Sequence, residues 1–324
     1  MNLDNISTTI REQLNVFEQQ FQRTITLEGF FIDDIIKYVI NIQGKQIRPI
    51  LTLLSAKLAG GVTEQTMRCA IITELLHTAS LIHDDVIDRS DKRRGEKSVN
   101  KLWGNNTAVL FGDYLYGKAI EVLKAKEDVE IIPFLAKIGS SLPLGELLQK
   151  DISEKLAFDE ESYFKVIENK TASMMEVCAT IGAISAKADE KTIKSLKEFG
   201  NCLGLIFQIR DDILDIMPKK DEGKPFANDI KEKKITLPLI YLLNDIEDEK
   251  EREEILNFIG SDNKKEEDIL SLIDRIIQSG YVEKANILLK ELAIKAKNKL
   301  VNFDNNDKSK QALISLVDVL VYNN

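Results

Sequence analysis

Apolar residues recur every three or four positions along most of this chain, which is the spacing of an amphipathic α-helix. The clearest stripe runs from Thr66 to Asp88, and a second runs from Leu196 to Met217, where Pro218 is expected to end the helix. Further helical stripes cover residues 106–125, 161–187, 235–246, 282–303 and 308–322. The sequence shows no convincing run of alternating apolar and polar residues, so the pattern predicts an all-α protein.

Polar stretches between the stripes mark the loops. They are predicted at Arg89–Ser98, Pro218–Lys234 and Asn244–Glu254. None resembles a flexible tether between domains, so residues 1–324 are predicted to form a single helical domain. Residues 1–25 are expected to form a helix whose apolar face packs on the body of the protein or on a second subunit. That face carries Ile6, Ile10, Leu14, Phe17 and Phe21.

The composition excludes some classes of function. Hydrophobic residues make up 44% of the chain, enough for a large core, and the formal net charge is -9. A nucleic acid bound through a broad basic face is therefore disfavoured, and an anionic ligand must be bound by a local cluster of cations. The three cysteines, Cys69, Cys178 and Cys202, lack the spacing of a metal site and are expected to be buried thiols.

The N-terminal residues have neither the basic start nor the apolar run of a secretory signal. No uninterrupted apolar stretch reaches the roughly 18 residues that a membrane-spanning helix requires. From these two features we expect a cytoplasmic protein.

Two aspartate pentads, Asp84–Asp88 and Asp211–Asp215, share the pattern Asp-Asp-x-x-Asp, and each ends a strongly apolar helix. Because positions i and i+4 share a helix face, the first and last aspartates of each pentad are predicted to lie side by side. Carboxylates one turn apart repel each other, and a cation removes that repulsion. Mg²⁺ binds few protein carboxylates and completes its shell with water and phosphate oxygens. The pentads therefore predict a magnesium site for a diphosphate ligand.

Basic residues near these pentads are candidates for holding the diphosphate. Arg93 and Arg94 follow Asp88 by five and six residues, close enough to return a bidentate guanidinium to the same phosphates. The other candidates are Lys45, Arg48, Lys170, Lys224 and Lys234.

The chain has two histidines, and His77 lies two helical turns before Asp84 on a similar face, which favours a contact with the ligand. Glu74 and His77 also match the Glu-x-x-His element of di-iron helical bundles. That class requires a second copy, which the other histidine does not supply because Ser80 stands three residues before His83.

Together these residues resemble the trans-isoprenyl diphosphate synthases, the head-to-tail polyprenyl synthetase family, over nearly the whole chain. The resemblance implies a single large antiparallel helical bundle of the isoprenoid synthase type, with both pentads facing each other across the mouth of a deep central cavity. It also implies a homodimer, with a heterodimer as the alternative. The motifs that carry it, in the family's order, are Gly44–Pro49, Asp84–Asp88, Arg93–Gly95, Gly112–Tyr114, Gly145-Glu146 with Gln149, Lys170-Thr171, Phe207-Gln208, Asp211–Asp215, Gly223–Pro225 and Lys234–Pro238.

The resemblance also implies a role for each matching residue. Two or more Mg²⁺ ions would be held by Asp84, Asp85, Asp88, Asp211, Asp212 and Asp215. The allylic diphosphate would contact Arg93, Lys170, Thr171, Gln208, Lys224 and Lys234. Arg93 and Lys170, together with the six aspartates, would be the catalytic residues. Isopentenyl diphosphate would contact Lys45, Arg48, His77 and Arg94. Two positions depart from the family pattern, with Gln46 in place of a basic residue and Lys233 in place of glycine.

The implied reaction begins when the allylic carbon–oxygen bond ionises. The double bond of isopentenyl diphosphate attacks the cation, and proton loss gives an allylic diphosphate one isoprene unit longer. The growing tail must run down the helix from Asp84, so Ala79 and Ser80 are expected to set its length. In the family an aromatic residue there shortens the product. Their small side chains predict a heptaprenyl or octaprenyl product of the kind used for quinone tails, with a farnesyl or geranylgeranyl product as the alternative.

Two other classes compete with this interpretation. A class I terpene cyclase has a similar cavity, but its second metal motif normally uses Asn, Ser or Thr, and Glu, and it has no need for Lys45 and Arg48. A regulatory subunit of a heteromeric synthase should have lost aspartates, whereas both pentads are complete here. For product release we expect at most a peripheral contact with a membrane.

Overall fold

The structure is a computed structural model that describes residues 6–27, 31–42, 44–217, 227–234 and 236–322. As the apolar spacing predicts, the described residues are almost entirely helical. The first half of the chain forms a 3-10 turn at Thr8–Ile10 and then α1 (Arg11–Ile25), α2 (Ile32–Asn41), α3 (Ile47–Ala59), α4 (Glu64–Ile87), α5 (Val99–Trp103), α6 (Asn105–Glu121) and α7 (Ile132–Lys155).

The second half continues the bundle and ends in an amphipathic helix. Its helices are α8 (Glu160–Ile167), α9 (Ser173–Ser185), α10 (Glu190–Ile216), α11 (Asn228–Lys231), α12 (Leu237–Asp245), α13 (Glu249–Gly260), α14 (Glu266–Gln278), α15 (Tyr281–Lys299) and α16 (Lys308–Tyr322). A short π-helical segment, Glu168–Ala172, joins α8 to α9 without a break.

Helices α4 and α10 carry the two pentads, and α9 packs against both of them and against α3. A capping box between Thr63 and Thr66 begins α4, and the Asp189 side chain accepts the Thr192 backbone N–H at the start of α10. Glycine allows the close approach of α3 and α9, because a Cβ at Gly182 would lie 2.5 Å from the Thr52 carbonyl oxygen. These contacts set the two pentad helices in fixed positions.

The π-helical segment is held between two neighbouring helices. A Cβ at Gly145 of α7 would lie 2.7 Å from the backbone nitrogen of Lys170, and a Cβ at Gly204 of α10 would lie 2.4 Å from the Ala172 Cα. Only glycine at these two positions allows α7 and α10 to lie this close to the π-helical segment. The wider turn places Lys170 and Thr171 between them, and π-helical turns of this kind are frequent at functional sites.

The apolar face of the first helix is buried within its own chain. Its five predicted residues are at most 9% exposed, and α1 packs against α3, α4 and α6. The three cysteines are free and buried, which confirms the sequence prediction for them.

The loop predictions are only partly correct. The one at Asn244–Glu254 is too long, because α12 extends to Asp245, α13 begins at Glu249 and only residues 246–248 form the loop. In Arg89–Ser98, residues Lys92–Arg93 pair antiparallel with Glu96–Lys97 in a minimal hairpin. Residues 218–226 of the predicted loop at Pro218–Lys234, which include the family motif Gly223–Pro225, lie outside the described residues. The described part of this loop contains α11.

One segment, Lys126–Lys155, is long and apolar enough by length and composition to cross a membrane. The most apolar 18 residues of the segment have a mean hydropathy of 1.3, and 28% of that stretch is buried. The sequence analysis found no uninterrupted run there because Lys137 and Glu146 interrupt it. Helices in soluble proteins also meet this criterion, so it is weak evidence for a membrane span.

Candidate active site

Two adjoining cavities open where α4 and α10 end. The first has a volume of about 850 Å³ and is lined by residues of both pentads. The second, of about 1020 Å³, extends between α4, α6, α7 and α9 and is mostly apolar. The walls that belong to both cavities include Arg48, His77, Leu81, Asp84, Asp88, Gln149, Lys170 and Lys234. A chamber lined by charged residues is therefore continuous with a mostly apolar one.

The first pentad divides its aspartates between two environments. Asp84 and Asp88 line both cavities, as their i, i+4 spacing predicts. Asp85 is buried, and it accepts hydrogen bonds from Arg93 Nε at 2.9 Å and Arg93 Nη2 at 2.5 Å. Burial, reinforced by the nearby carboxylate of Glu146, raises the pKa of Asp84 to about 7. Asp84 is thus a carboxylate whose negative charge is costly without a cation.

The second pentad is divided differently, because its first two aspartates reach the cavity and its last does not. Asp211 and Asp212 line the first cavity. Asp212 is buried and accepts hydrogen bonds from Tyr163 Oη at 2.6 Å and Gln208 Nε2 at 3.0 Å. Burial raises the pKa of Asp212 well above its ordinary value. Asp215 is not part of the cavity lining; it binds the backbone of the segment that begins at Ala227.

A further aspartate, Asp229, also lines the first cavity, and the sequence analysis overlooked it. Burial and the neighbouring carboxylates of Asp215 and Asp211 raise its pKa to about 7. The available signal was its position five residues before Lys234, inside the segment that links two recognised motifs.

Lys234 connects the segment after α11 to the first pentad. Its Nζ lies 3.4 Å from Asp88 Oδ2 and 2.6 Å from Glu232 Oε2. Burial alone would lower the pKa of Lys234, but these carboxylates raise it, so the side chain is a permanent cation. The structure thereby brings Lys234 beside the pentads, while Lys224 lies outside the described residues.

The π-helical segment supplies two more of the predicted residues. Lys170 Nζ lies 2.6 Å from Glu146 Oε1, an acidic residue to which the sequence analysis gave no role. Thr171 Oγ1 donates to Gln208 Oε1 at 2.8 Å, and Gln208 in turn donates to Asp212. This chain of hydrogen bonds fixes the orientation of the buried pentad carboxylate.

A cluster of cations lines the other side of the first cavity: Lys45, Arg48 and Arg94, together with His77. Gly44 packs on Arg94, since a Cβ there would lie 2.4 Å from Arg94 Nη2. Burial and the nearby guanidinium of Arg48 lower the pKa of His77 well below its ordinary value, so this imidazole is neutral.

Glu74 is the one acidic residue of this cluster, and the sequence analysis weighed it only as part of the di-iron pattern. Burial raises its pKa, while Arg48 and Arg94 oppose that shift. Within the described part of the chain, Glu74 Oε2 and Arg48 Nε are buried without a hydrogen-bond partner. Buried polar atoms of this kind are expected to bond to a ligand or water that enters the cavity.

The two predicted length-setting residues differ in position. Ser80 lines the second cavity, whereas Ala79 is fully buried and lines neither cavity. The wall opposite α4 includes Tyr116, whose ring stacks on His83 at a centroid distance of 5.9 Å. Other apolar residues of this wall are Leu142, Leu147, Leu156 and Met174.

The residues around the first cavity fit a magnesium ion by their chemistry. The aspartates among them offer carboxylate oxygens, which Mg²⁺ prefers, and like charges that lie close together repel one another. In the described ranges, no three His, Cys, Asp or Glu side chains converge closely enough to hold an ion by themselves. This arrangement is suited to an ion that obtains the rest of its oxygens from water and a diphosphate.

Comparison with known proteins agrees with this geometry. The sequence pattern of the polyprenyl synthetase family matches residues 31–276. The chain is 34% identical over 290 residues to a short chain isoprenyl diphosphate synthase of Methanothermobacter thermautotrophicus, covering 88% of each chain. It is 34% identical over 248 residues to heptaprenyl diphosphate synthase component 2 of Geobacillus stearothermophilus, covering 76% of this chain and 77% of that one.

A solved structure matches the fold over almost its full length. The polyprenyl synthase of Caulobacter crescentus, crystallised with calcium and isoprenyl diphosphate, superposes with a TM-score of 0.91 and 30% identity. The match covers 99% of this chain and 97% of that one. The resemblance seen in the motifs and the all-α fold are both confirmed, and the chain belongs to the polyprenyl synthetase family of trans-prenyltransferases.

Proposed function

We propose that this chain is a magnesium-dependent prenyl diphosphate synthase that adds isopentenyl diphosphate repeatedly to an allylic diphosphate and makes a long-chain trans product. One observation carries the proposal: a chamber with carboxylates and cations on its walls is continuous with a mostly apolar cavity of about 1020 Å³. The chamber suits two diphosphates, and the apolar cavity suits a hydrocarbon tail.

The allylic diphosphate occupies the part of the chamber that the pentads line. The pocket-facing aspartates hold the cations, and magnesium, when bound, stabilises the charge that builds on the departing diphosphate. Lys170 and Lys234 bind phosphate oxygens, and for this Lys170 must exchange its contact with Glu146. Arg93 lines the same chamber while it fixes Asp85. The allylic carbon–oxygen bond breaks, and the diphosphate leaves with the electron pair.

Isopentenyl diphosphate binds to the cluster of Lys45, Arg48 and Arg94. These permanent cations hold its phosphates, and the neutral His77 contributes a hydrogen bond without adding charge. The double bond attacks the allylic cation, a carbon–carbon bond forms, and the released diphosphate accepts the proton that is lost. The apolar walls exclude water, which would otherwise capture the cation.

The volume of the second cavity supports a long product. A cavity of about 150 Å³ holds one benzene molecule, so about 1020 Å³ has room for roughly seven groups of about that size, such as five-carbon units. Part of the cavity lies beside the pentads, so seven units is an upper figure. This volume favours a heptaprenyl-type product over a farnesyl one.

We further propose that the chain works as a homodimer. Helices α6 and α7 expose large apolar side chains to solvent outside the cavities, including Leu110 and Ile120 at 68% and Leu144 at 46%. Apolar side chains exposed in this number are typical of a contact surface. Because one relative is named as component 2 of a heptaprenyl diphosphate synthase, a heterodimer is the alternative. We also propose that the protein is cytoplasmic.

The test is to incubate the purified chain with farnesyl diphosphate, labelled isopentenyl diphosphate and Mg²⁺, and to size the dephosphorylated products. We expect a ladder that ends above four units and at no more than about seven, and that disappears when EDTA replaces Mg²⁺. A ladder ending at three or four units would contradict the long-chain proposal, and a cyclic hydrocarbon would indicate a cyclase. If no elongation occurs and light scattering shows a monomer, the homodimer proposal fails in favour of a separate partner chain.

A further inference from the structure

We infer that Asp229, which lies outside both pentads, is one of the carboxylates that hold the cation at the second pentad, and that Asp215 fixes the segment carrying it. The inference rests on the proposed function, because it concerns the same cation. It reassigns the last aspartate of the second pentad from binding a cation to positioning a backbone segment.

Within the described residues, the hydrogen bonds of the Asp215 carboxylate are all made with the backbone of residues 228–229. Its Oδ1 accepts the Asn228 N–H at 3.1 Å, and its Oδ2 accepts the Asp229 N–H at 3.1 Å. Its own carbonyl oxygen accepts the Ala227 N–H at 3.0 Å. Both carboxylate oxygens are thus engaged by amides, and Asp215 does not line either cavity. These bonds connect the end of α10 to the start of α11.

Asp229 has the opposite arrangement. Its side chain lines the first cavity together with Asp211 and Asp212. Within the ranges that the structure describes, no side chain or backbone donor reaches its carboxylate. Its backbone is held on both sides, by Asp215 at the N–H and by the Lys234 N–H, which donates to the Asp229 carbonyl oxygen at 2.7 Å. The structure therefore fixes the backbone of Asp229, while its carboxylate lines the first cavity.

The first pentad provides an independent parallel. Asp85 is withdrawn from the cavity by Arg93, and only Asp84 and Asp88 remain at the cavity wall. In the second pentad Asp215 is withdrawn, and Asp212 is already bonded to Tyr163 and Gln208. Asp229 therefore takes the place of Asp215 as a carboxylate on the side of the cavity that the second pentad lines. Placing it next to other aspartates is unfavourable, and the nearby Lys234 offsets only part of that cost, so a bound cation best explains its location.

The experiment measures Mn²⁺ binding to the purified full-length chain in the presence of inorganic pyrophosphate. Mn²⁺ replaces Mg²⁺ because both accept carboxylate oxygens and free Mn²⁺ has a spin-resonance signal. The melting temperature in EDTA is the second readout. Asp229→Asn and Asp215→Asn are compared with the wild type, and Asp262→Asn is the matched control. Asp262 is 88% exposed, pairs with Lys233 beside the same segment and lies outside both cavities.

We expect Asp229→Asn to weaken Mn²⁺ binding at least tenfold and to raise the melting temperature in EDTA, because it removes repulsion. Asp215→Asn should lower the melting temperature in EDTA, because an amide nitrogen replaces one acceptor of a backbone N–H. Asp262→Asn should match the wild type in Mn²⁺ binding.

Wild-type Mn²⁺ affinity in Asp229→Asn would overturn the inference, as would an Asp215→Asn variant that loses Mn²⁺ binding at an unchanged melting temperature. If the wild type itself binds no Mn²⁺ with pyrophosphate, the proposed metal site fails and this inference fails with it. The wild-type result therefore separates failure of the proposed function from failure of the assignment to Asp229.

Discussion

Replacing Ser80 by phenylalanine tests whether the second cavity holds the growing tail. Ser80 lies four residues before Asp84, or about 6 Å along α4 at 1.5 Å per residue, and its side chain lines the second cavity. A benzyl group placed there enters the cavity one turn below the pentad. Most of the volume beyond it then becomes inaccessible to the tail.

The structure gives the expected size of this effect. The unmodified cavity has room for at most roughly seven five-carbon units, and a ring about 6 Å below Asp84 should shift the longest product to well below that number. Turnover with short primers should be retained, because Ser80 contacts neither pentad in the described structure and its hydroxyl bonds only to the His77 carbonyl oxygen. Ser80→Ala, which removes that bond without adding volume, is the control.

Ala79→Phe should behave differently. Ala79 is 0% exposed and lines neither cavity, so a ring there overpacks the core, costs about 1–3 kcal/mol and lowers the melting temperature by a few degrees. The assay sizes the dephosphorylated products of each variant and measures its thermal unfolding. Full-length products from Ser80→Phe, or shortened products from an Ala79→Phe variant of normal stability, would refute this reasoning.

Three further changes test the site. Burial holds the pKa of Asp84 near 7 in the fold against 3.8 unfolded, so without metal its contribution to stability is complete below pH 4 and is lost as pH rises through 7. From pH 5 to pH 8 this loss amounts to up to about 2.7 kcal/mol in urea unfolding, and Asp84→Asn should remove it; an equal fall in the variant would refute the assignment. Tyr163→Phe deletes a buried 2.6 Å hydrogen bond to Asp212 and should lower the unfolding free energy by about 1.5–3 kcal/mol, whereas an unchanged value would show that this bond is dispensable. Gly145→Ala places a Cβ 2.7 Å from the Lys170 backbone nitrogen and should cost about 1–3 kcal/mol while raising KM for the allylic substrate; wild-type kinetics would show that the π-helical segment can shift freely.

The sequence predicted the elements whose apolar residues form one stripe. Helices α4, α6, α10, α12, α15 and α16 correspond to predicted stripes, and α8 and α9 to a single one. Helix α3 was missed because it is buried on almost every side, so its apolar residues form no single face. Helix α7 was missed for the opposite reason, since few of its residues are buried. Helix α14 has a clear stripe that the sequence analysis overlooked.

The candidate site was predictable where it depends on local spacing. The i, i+4 rule placed Asp84 beside Asp88 at the cavity. It did not show that Asp215 is engaged by amides more than ten residues away, because such contacts depend on how α10 meets the next segment. The position of Ala79 outside the cavity depends likewise on how α4 is rotated against its neighbours. Local periodicity contains no information about either contact.

In the proposed function, α4 and its C-terminal cap carry three groups at fixed spacings: His77 for one diphosphate, Ser80 for the tail, and Asp84 with Asp88 for the cation. Because these groups share one continuous helix, their distances do not change when a single side chain is replaced. Product length can therefore diverge in evolution through substitutions near Ser80 while the chemistry at Asp84 is inherited unaltered. The residues that must stay constant, Asp84 and Asp88, then lie about one helical turn from those that can change, near Ser80.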